Sequence, residues 1–203
     1  MEGPFISSMV RFTMARALLM MVASNAHGYA RAWNPSTFPF LPASTDTTRV
    51  RELVLRAQGG NKKILDIGCG QGYSTAVSQG SVGIDAELRN IRNAQKLFPD
   101  KTFKQGILSS IERTDEYDVV TCMFYFHKIP QFLRKMIIEN ALNIAKERIV
   151  ILDVSPDYEA GREMFKQSTF LPDYYKNCRD DLSEFTETKL MDGILSIWIY
   201  ELN

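Results

Sequence analysis

The chain has 203 residues, enough for one domain with its own core. Its hydrophobic fraction is 45%, its charged fraction is 24%, and 24 acidic residues balance 24 basic ones. That is ordinary for a globular protein and lacks the basic excess usual in domains whose main partner is the nucleic-acid backbone. The three cysteines, Cys69, Cys122 and Cys178, are widely spaced, and the two histidines are His27 and His127. No pair has zinc-ligand spacing, so neither a disulfide framework nor a metal site is expected.

Residues 1–45 differ from the rest: one acid, Glu2, against Arg11, Arg16 and Arg31. ARALLMMVA is an apolar core too short to span a bilayer, and small residues follow it in SNAHGYARA. Arginine, an apolar stretch and small residues form the layout of a cleavable signal. Ala26-His27-Gly28 fits processing before Tyr29, and Gly28-Tyr29-Ala30 fits processing before Arg31. The expectation for 1–30 is a secretory or organelle address, the alternative an amphipathic helix packed on a cytoplasmic domain. Residues 31–45, rich in proline and aromatics, read as an arm or linker in which Trp33, Phe38 and Phe40 staple it to the core. No stable membrane insertion is expected.

The domain is expected over 46–203. A helix reads from the cap residues Ser44-Thr45-Asp46 through TTRVRELVLRAQ, with Val50, Leu53, Val54 and Ala57 as its stripe and Gly59-Gly60 as its stop. KKILDIG is a buried strand and YSTAVSQ a short helix. SVGIDA is a second strand, and ELRNIRNAQKLF a helix ended by Pro99-Asp100. TFKQG and YDVVTCMF are the third and fourth strands. PQFLRKMIIENALNIAKE is a long helix with Pro130 near its first turn, and RIVILDV is the fifth strand. FTETKLM and ILSIWIYEL flank Asp192-Gly193, a strong hairpin signal. Apolar strands alternating with helices predict an α/β fold: a mostly parallel sheet covered on both faces, here ending in an antiparallel hairpin.

The glycines at Gly68, Gly70 and Gly72 follow the first strand, at the sheet edge where such folds bind ligands. They let the backbone bend sharply and approach a ligand closely, and the predicted helix after them would add a positive dipole end. Asp85, closing the second strand, can accept hydrogen bonds from the hydroxyls of a ribose. The spacing G-x-G-x-G, with Tyr73 where a third dinucleotide glycine would stand, disfavours a nicotinamide oxidoreductase. The acid at Asp66 is unwelcome to a pyrophosphate and welcome to a cation. S-adenosylmethionine carries a sulfonium, an ammonium and a ribose, and fits this pattern.

Asp66-Ile67-Gly68-Cys69-Gly70-Gln71-Gly72 resembles motif I of the class I S-adenosylmethionine-dependent methyltransferases, with no departure from D-x-G-x-G-x-G. Val82-Gly83-Ile84-Asp85 is similar to the end of their second strand, Tyr117–Met123 to their fourth, and the terminal hairpin to their antiparallel seventh. The resemblance covers about residues 45–203. It implies the Rossmann-like seven-stranded sheet, S-adenosylmethionine as cofactor and S-adenosylhomocysteine as product. It places Asp66, Gly68, Cys69, Gly70 and Gly72 at the cofactor, with Asp85 on the ribose, Ala86 beside it and Met123 at the end of the fourth strand. Many members hold the adenine amino group with an acid or amide after the third strand. Here Gln105 would substitute, or the backbone at Gly106-Ile107 would, with Ile107 packing on the ring.

Methyl transfer is an in-line displacement in which the enzyme mainly aligns the partners. A base is required only where the nucleophile must lose a proton. In the resembling family the loop Met123–Lys128 faces both donor and acceptor, which makes His127 the candidate base and Tyr125 a candidate contact. Neither the N/D-P-P-Y/F motif for amide or amino nitrogens nor a Pro-Cys pair for cytosine carbon occurs. The expected reaction is transfer to oxygen, nitrogen or sulfur of a small-molecule acceptor, with no nucleic acid favoured. The alternatives are a protein or RNA methyltransferase, or a non-catalytic S-adenosylmethionine-binding module. Asp153 also lies on the ligand side. Beyond it Tyr158, Phe170, Tyr174 and Tyr175 either line an acceptor pocket or pack on the sheet. G-x-S-x-G and the phosphate-binding G-x-x-x-x-G-K-S/T are absent.

Overall fold

The computed structural model describes residues 41, 45–107, 117–159 and 162–202. The expected address at 1–30 and most of the arm at 31–45 lie outside them. A seven-stranded sheet has the order β3-β2-β1-β4-β5-β7-β6. The strands are β1 (Ile64–Ile67), β2 (Val82–Asp85), β3 (Phe103–Gln105), β4 (Tyr117–Met123), β5 (Ala145–Val154), β6 (Thr186–Leu190) and β7 (Leu195–Glu201). The first five are mutually parallel, and β7 pairs antiparallel with both β5 and β6. All four residues of β1 and of β2 are buried, as strands covered on both faces must be.

Helix α1 (Thr47–Gln58) is capped by Asp46, whose side chain accepts the Arg49 N–H at 3.0 Å. Val50, Leu53 and Val54 join the main core. Helix α2 (Leu88–Leu97) covers a second small cluster of Cys69, Ile91, Ala94 and Phe103. Helix α3 (Gln131–Ile144) follows Pro130, and α4 (Arg162–Gln167) and α5 (Leu171–Asp181) precede the hairpin. Among the described residues no helix is long and apolar enough to cross a membrane.

Three local expectations are corrected. YSTAVSQ is not a helix: turns and irregular chain run from Gln71 to Gly80. The Ser74 and Thr75 hydroxyls are bonded to Asp66 at 2.8 and 2.7 Å, the side-chain competition that disfavours helix at such residues. The loop therefore lacks the expected dipole. Ala145-Lys146-Glu147 belong to β5 and not to the helix before it: Ala145 turns extended at ψ 138° and faces Tyr117 across the sheet. Glu147 there takes the Leu202 N–H on its carbonyl and pairs with Lys62 at 2.5 Å. The Asp192-Gly193 hairpin forms, but Leu190 pairs with Leu195, so its loop has more than the two central residues. Met191, Asp192 and Gly193 all take positive φ.

Candidate active site

The strand order reverses between the parallel neighbours β1 and β4: β2 and β3 lie to one side of them, β5 to the other. The carboxyl ends of β1, β4 and β5 thus meet at the switch point where open α/β sheets bind ligands. Asp66, Phe124 and Asp153 stand there.

Asp66 is 0% exposed and pairs in register with Gly83 on one side and Thr121 on the other. Its carboxylate accepts from Ser74 Oγ, Thr75 Oγ1 and, at 3.3 Å, Thr121 Oγ1. Burial pushes its pKa up, against the three hydroxyls that favour the charge. Through these hydroxyls Asp66 knots the glycine loop to the sheet.

The three glycines have three different surroundings. At Gly68 a Cβ would come within 2.7 Å of the Tyr125 ring, and at Gly72 within 2.6 Å of the Phe103 ring. These two are packing glycines as the structure stands. Gly70, at φ +54°, would meet nothing within 4 Å, so the open space lies over Gly70. The Cys69 side chain points away, into the cluster under α2, and burial pushes its thiol pKa up. Lys101 Nζ donates to the Gly72 carbonyl at 3.0 Å and closes the far side of the loop.

Asp85 faces that loop. Its Oδ2 accepts the Gly70 N–H at 2.9 Å, and its Oδ1 accepts the Glu87 N–H at 2.8 Å and Asn90 Nδ2 at 3.2 Å. A carboxylate offers about four acceptor positions, so three are engaged before any ligand arrives. Gln105 Nε2 donates to the Ala86 carbonyl at 3.1 Å, and the Gly106 N–H donates to the Asp85 carbonyl at 3.0 Å. Ile107, beyond β3, is 53% exposed. Asp85, Ala86, Gly106 and Ile107 are thus gathered at one end of the sheet beside Gly70.

Met123 is buried at the end of β4, and Phe124 after it takes φ +58°, a strained conformation for a bulky residue. That bend starts the loop that carries Tyr125 and a 3-10 turn over Phe126–Lys128. Tyr125 is half-buried, and burial raises its phenol pKa. His127 is 3% exposed, and its Nδ1 lies 2.7 Å from Asp153 Oδ1. Asp153 also accepts the His127 N–H at 3.2 Å and the Val154 N–H at 2.8 Å. An ionised carboxylate only accepts, so Nδ1 carries the proton and Nε2 is the basic nitrogen of the neutral ring. Such a pair can take a proton on Nε2 and stabilise the cation formed.

The aromatic insertion is divided. Tyr174 is fully buried, donates from its hydroxyl to the Val154 carbonyl at 2.7 Å and packs edge-on to His127. Tyr175 donates to the Tyr158 carbonyl at 2.8 Å. Phe170 is partly exposed. Tyr174 is therefore a packing residue.

One pairing and one residue escape the sequence reading. Asp153 was legible as a strand-end acid, but its pairing with His127 across 26 positions was not. Arg51 was passed over because it is charged. It lies on the buried face of α1 with Thr47, Val50, Val54 and Gln58. That spacing is helical, so a cation within it was the available signal.

Comparison with known proteins agrees with this geometry. Residues 64–148 match the methyltransferase-domain family. A comparison with curated protein sequences finds no match. Among solved structures, the magnesium protoporphyrin IX methyltransferase of Synechocystis PCC 6803 with bound SAH is 16% identical and has a TM-score of 0.59. That alignment covers 97% of this chain and 100% of that one. The O-methyltransferase of Bacillus cereus in complex with SAH is 15% identical, with a TM-score of 0.53 and coverage of 94% and 91%. The plantazolicin methyltransferase in complex with a desmethyl analogue and SAH is 16% identical, with a TM-score of 0.53 and coverage of 77% and 82%. The chain has the class I S-adenosylmethionine-dependent methyltransferase fold. The match to the methyltransferase-domain family runs from the first strand into the start of the fifth.

Proposed function

We propose that this chain transfers a methyl group from S-adenosylmethionine to a small-molecule acceptor, with His127 as proton acceptor and Asp153 as the residue that positions it. The observation that carries this reading is the 2.7 Å contact between His127 Nδ1 and Asp153 Oδ1 at the switch point, beside the glycine loop. The donor set fits the cofactor. Gly70 leaves room for its backbone to approach the ligand, Asp85 has one acceptor position left for a ribose hydroxyl, and Ile107 offers an exposed apolar surface to the adenine. When bound, the cofactor supplies an electrophilic methyl group. The protein aligns the acceptor and, through Nε2 of His127, removes its proton. The zero net charge supports a small acceptor, as does the likeness to an enzyme named for magnesium protoporphyrin IX.

The 3% exposure of His127 also suits a purely structural pin between the ends of β4 and β5. The two readings part on turnover, as argued below. The cofactor assignment is tested by calorimetric titration of the full chain with S-adenosylmethionine, S-adenosylhomocysteine and NAD, where only the first two should bind. Transfer of labelled methyl to size-fractionated cell extract then reads the acceptor. Label in the low-mass fraction supports a small molecule, label on protein or RNA overturns that choice, and binding without any label indicates a non-catalytic module.

Two substitutions probe the cofactor side. Asp85→Ala removes both the tether on Gly70 and the ribose acceptor, and should weaken S-adenosylhomocysteine binding by about 1–3 kcal/mol. Unchanged affinity would remove Asp85 from the site. Gly70→Val puts a β-branched side chain at positive φ and fills the one open position of the loop, so titration should show no binding while the circular dichroism stays native-like.

A further inference from the structure

Tyr125 lies where the two halves of the site meet. Its ring lies flat on Gly68: a Cβ built there would stand 2.7, 2.8 and 2.9 Å from three of the ring carbons. The bend at Phe124, φ +58°, sets the ring in that place, and Gly68 has no side chain to displace it. Tyr125 also caps the short turn that carries His127. A group that reaches from the glycine loop to Nε2 of His127 therefore passes this ring. Tyr125 is half-buried, so part of the ring stays open. Among the described residues no other ring or cation stacks on it, and its hydroxyl makes no hydrogen bond. What it offers is a ring face.

The surroundings suit that face to a cation. Asp66, Asp85 and Asp153 stand at or near the carboxyl ends of β1, β2 and β5 around it. Burial, then the neighbouring Cys122 and Asp85, keep the phenol protonated, so the ring itself is neutral. The ring before it shows the same chemistry in use: the Arg51 guanidinium lies 4.3 Å from the Phe124 centroid. The three carboxylates each accept three hydrogen bonds from the protein already. A sulfonium carries its charge without an N–H or O–H, so a carboxylate has no hydrogen bond to take from it. The negative face of an aromatic ring attracts such a cation with no hydrogen bond at all.

We propose that Tyr125 reads the positive charge of the methyl donor: the open part of its ring takes the sulfonium, and the chain thereby favours the charged donor over its neutral product. This rests on the methyltransferase reading. Once the methyl group has left, the sulfur is an uncharged sulfide and the ring no longer attracts it. The full chain, Tyr125→Leu and Tyr125→Phe would be titrated by calorimetry, without acceptor, with three ligands. These are S-adenosylmethionine, S-adenosylhomocysteine and sinefungin, in which a protonated amine stands in place of the sulfonium.

Tyr125→Leu should weaken both cationic ligands relative to S-adenosylhomocysteine by about fivefold or more, the scale of a cation over a ring in a partly desolvated site. S-adenosylhomocysteine itself should move by less than about twofold on the same scale. Tyr125→Phe keeps the ring and loses only the hydroxyl, so it should behave as the wild type. Tyr125→Met serves if the leucine variant is insoluble. Equal weakening of all three ligands would mean that the ring only packs the glycine loop, and overturns the proposal. Tighter binding of S-adenosylhomocysteine would mean that the ring covers the loop against ligands, and overturns it too. A loss confined to S-adenosylmethionine, with sinefungin unaffected, would mark contact with the methyl group and not with the charge, and also overturns it. A wild-type chain that binds none of the three overturns the cofactor reading and this proposal with it. A wild-type chain that binds them, with the ratios unchanged in the leucine variant, overturns this proposal alone.

Discussion

His127→Ala is expected to lower methyl transfer by about 10²–10⁴-fold while leaving S-adenosylhomocysteine affinity unmoved. The reasoning starts from the tautomer. Asp153 accepts from Nδ1 at 2.7 Å and from the His127 and Val154 N–H groups, which fixes the ring plane and leaves the basic lone pair on Nε2. The Ser168 hydroxyl holds the His127 carbonyl at 2.8 Å, and Tyr174 packs against the ring edge-on. A ring held from so many sides is preorganised for one proton transfer. Asp153→Asn should fall in the same range, because an amide can donate to Nδ1 and so move the ring proton to Nε2. Both variants leave a buried group with fewer partners, so each should also lose about 1–3 kcal/mol of stability in urea unfolding. A structural pin would show that stability loss with turnover unchanged. Turnover unchanged on the true acceptor, with the fold retained, ends the role of His127 as base.

Much of this site was legible as sequence because it depends on short-range constraints. An apolar run that ends in an acid and three alternating glycines can hardly be other than a strand and a tight loop. Asp85 at the end of the next apolar run falls beside that loop because consecutive parallel strands are neighbours here. What was lost depends on long-range pairing. Asp66 reads as an open negative charge until Ser74, Thr75 and Thr121 are seen to surround it. The same hydroxyls explain why YSTAVSQ forms no helix, a competition that periodicity cannot register. The register of β5 was missed at Ala145–Glu147 because those residues suit a helix, while Tyr117 and the end of β7 draw them into the sheet. Arg51 was missed for a related reason. An apolar stripe is found by its hydrophobic members, and a cation within it is read as facing solvent.

The largest stability effect should come from outside the loop. Arg134→Ala is expected to destabilise the domain by about 3–5 kcal/mol, the cost of leaving a buried ion pair without one partner. Arg134 on α3 is fully buried. Its Nε donates to Asp181 at 2.8 Å, and its Nη1 donates to the Ile129 carbonyl and pairs with Asp173, both at 2.9 Å. Gln131 supports the same Asp181 from the other side at 2.8 Å. Asp173 and Asp181 lie at the two ends of α5, so one guanidinium clamps that helix along its length. Alanine would strand the buried Asp181 carboxylate and open the space above Tyr174, over whose ring Arg134 also lies. Thermal unfolding should shift down by roughly 10 °C. Arg134→Met with Asp181→Leu should recover most of that loss, because it removes both charges and keeps the volume. If the single variant unfolds like the wild type, the clamp carries no net stability. The shift also reaches the site: α5 carries Tyr174, which packs on His127 and bonds the carbonyl of Val154, the residue after Asp153. Loosening α5 therefore frees the ring that Asp153 must hold in one orientation. The single variant should lose turnover beyond its unfolded fraction, and the double variant should regain it. The helix clamp and the His127–Asp153 pair then behave as one mechanical unit.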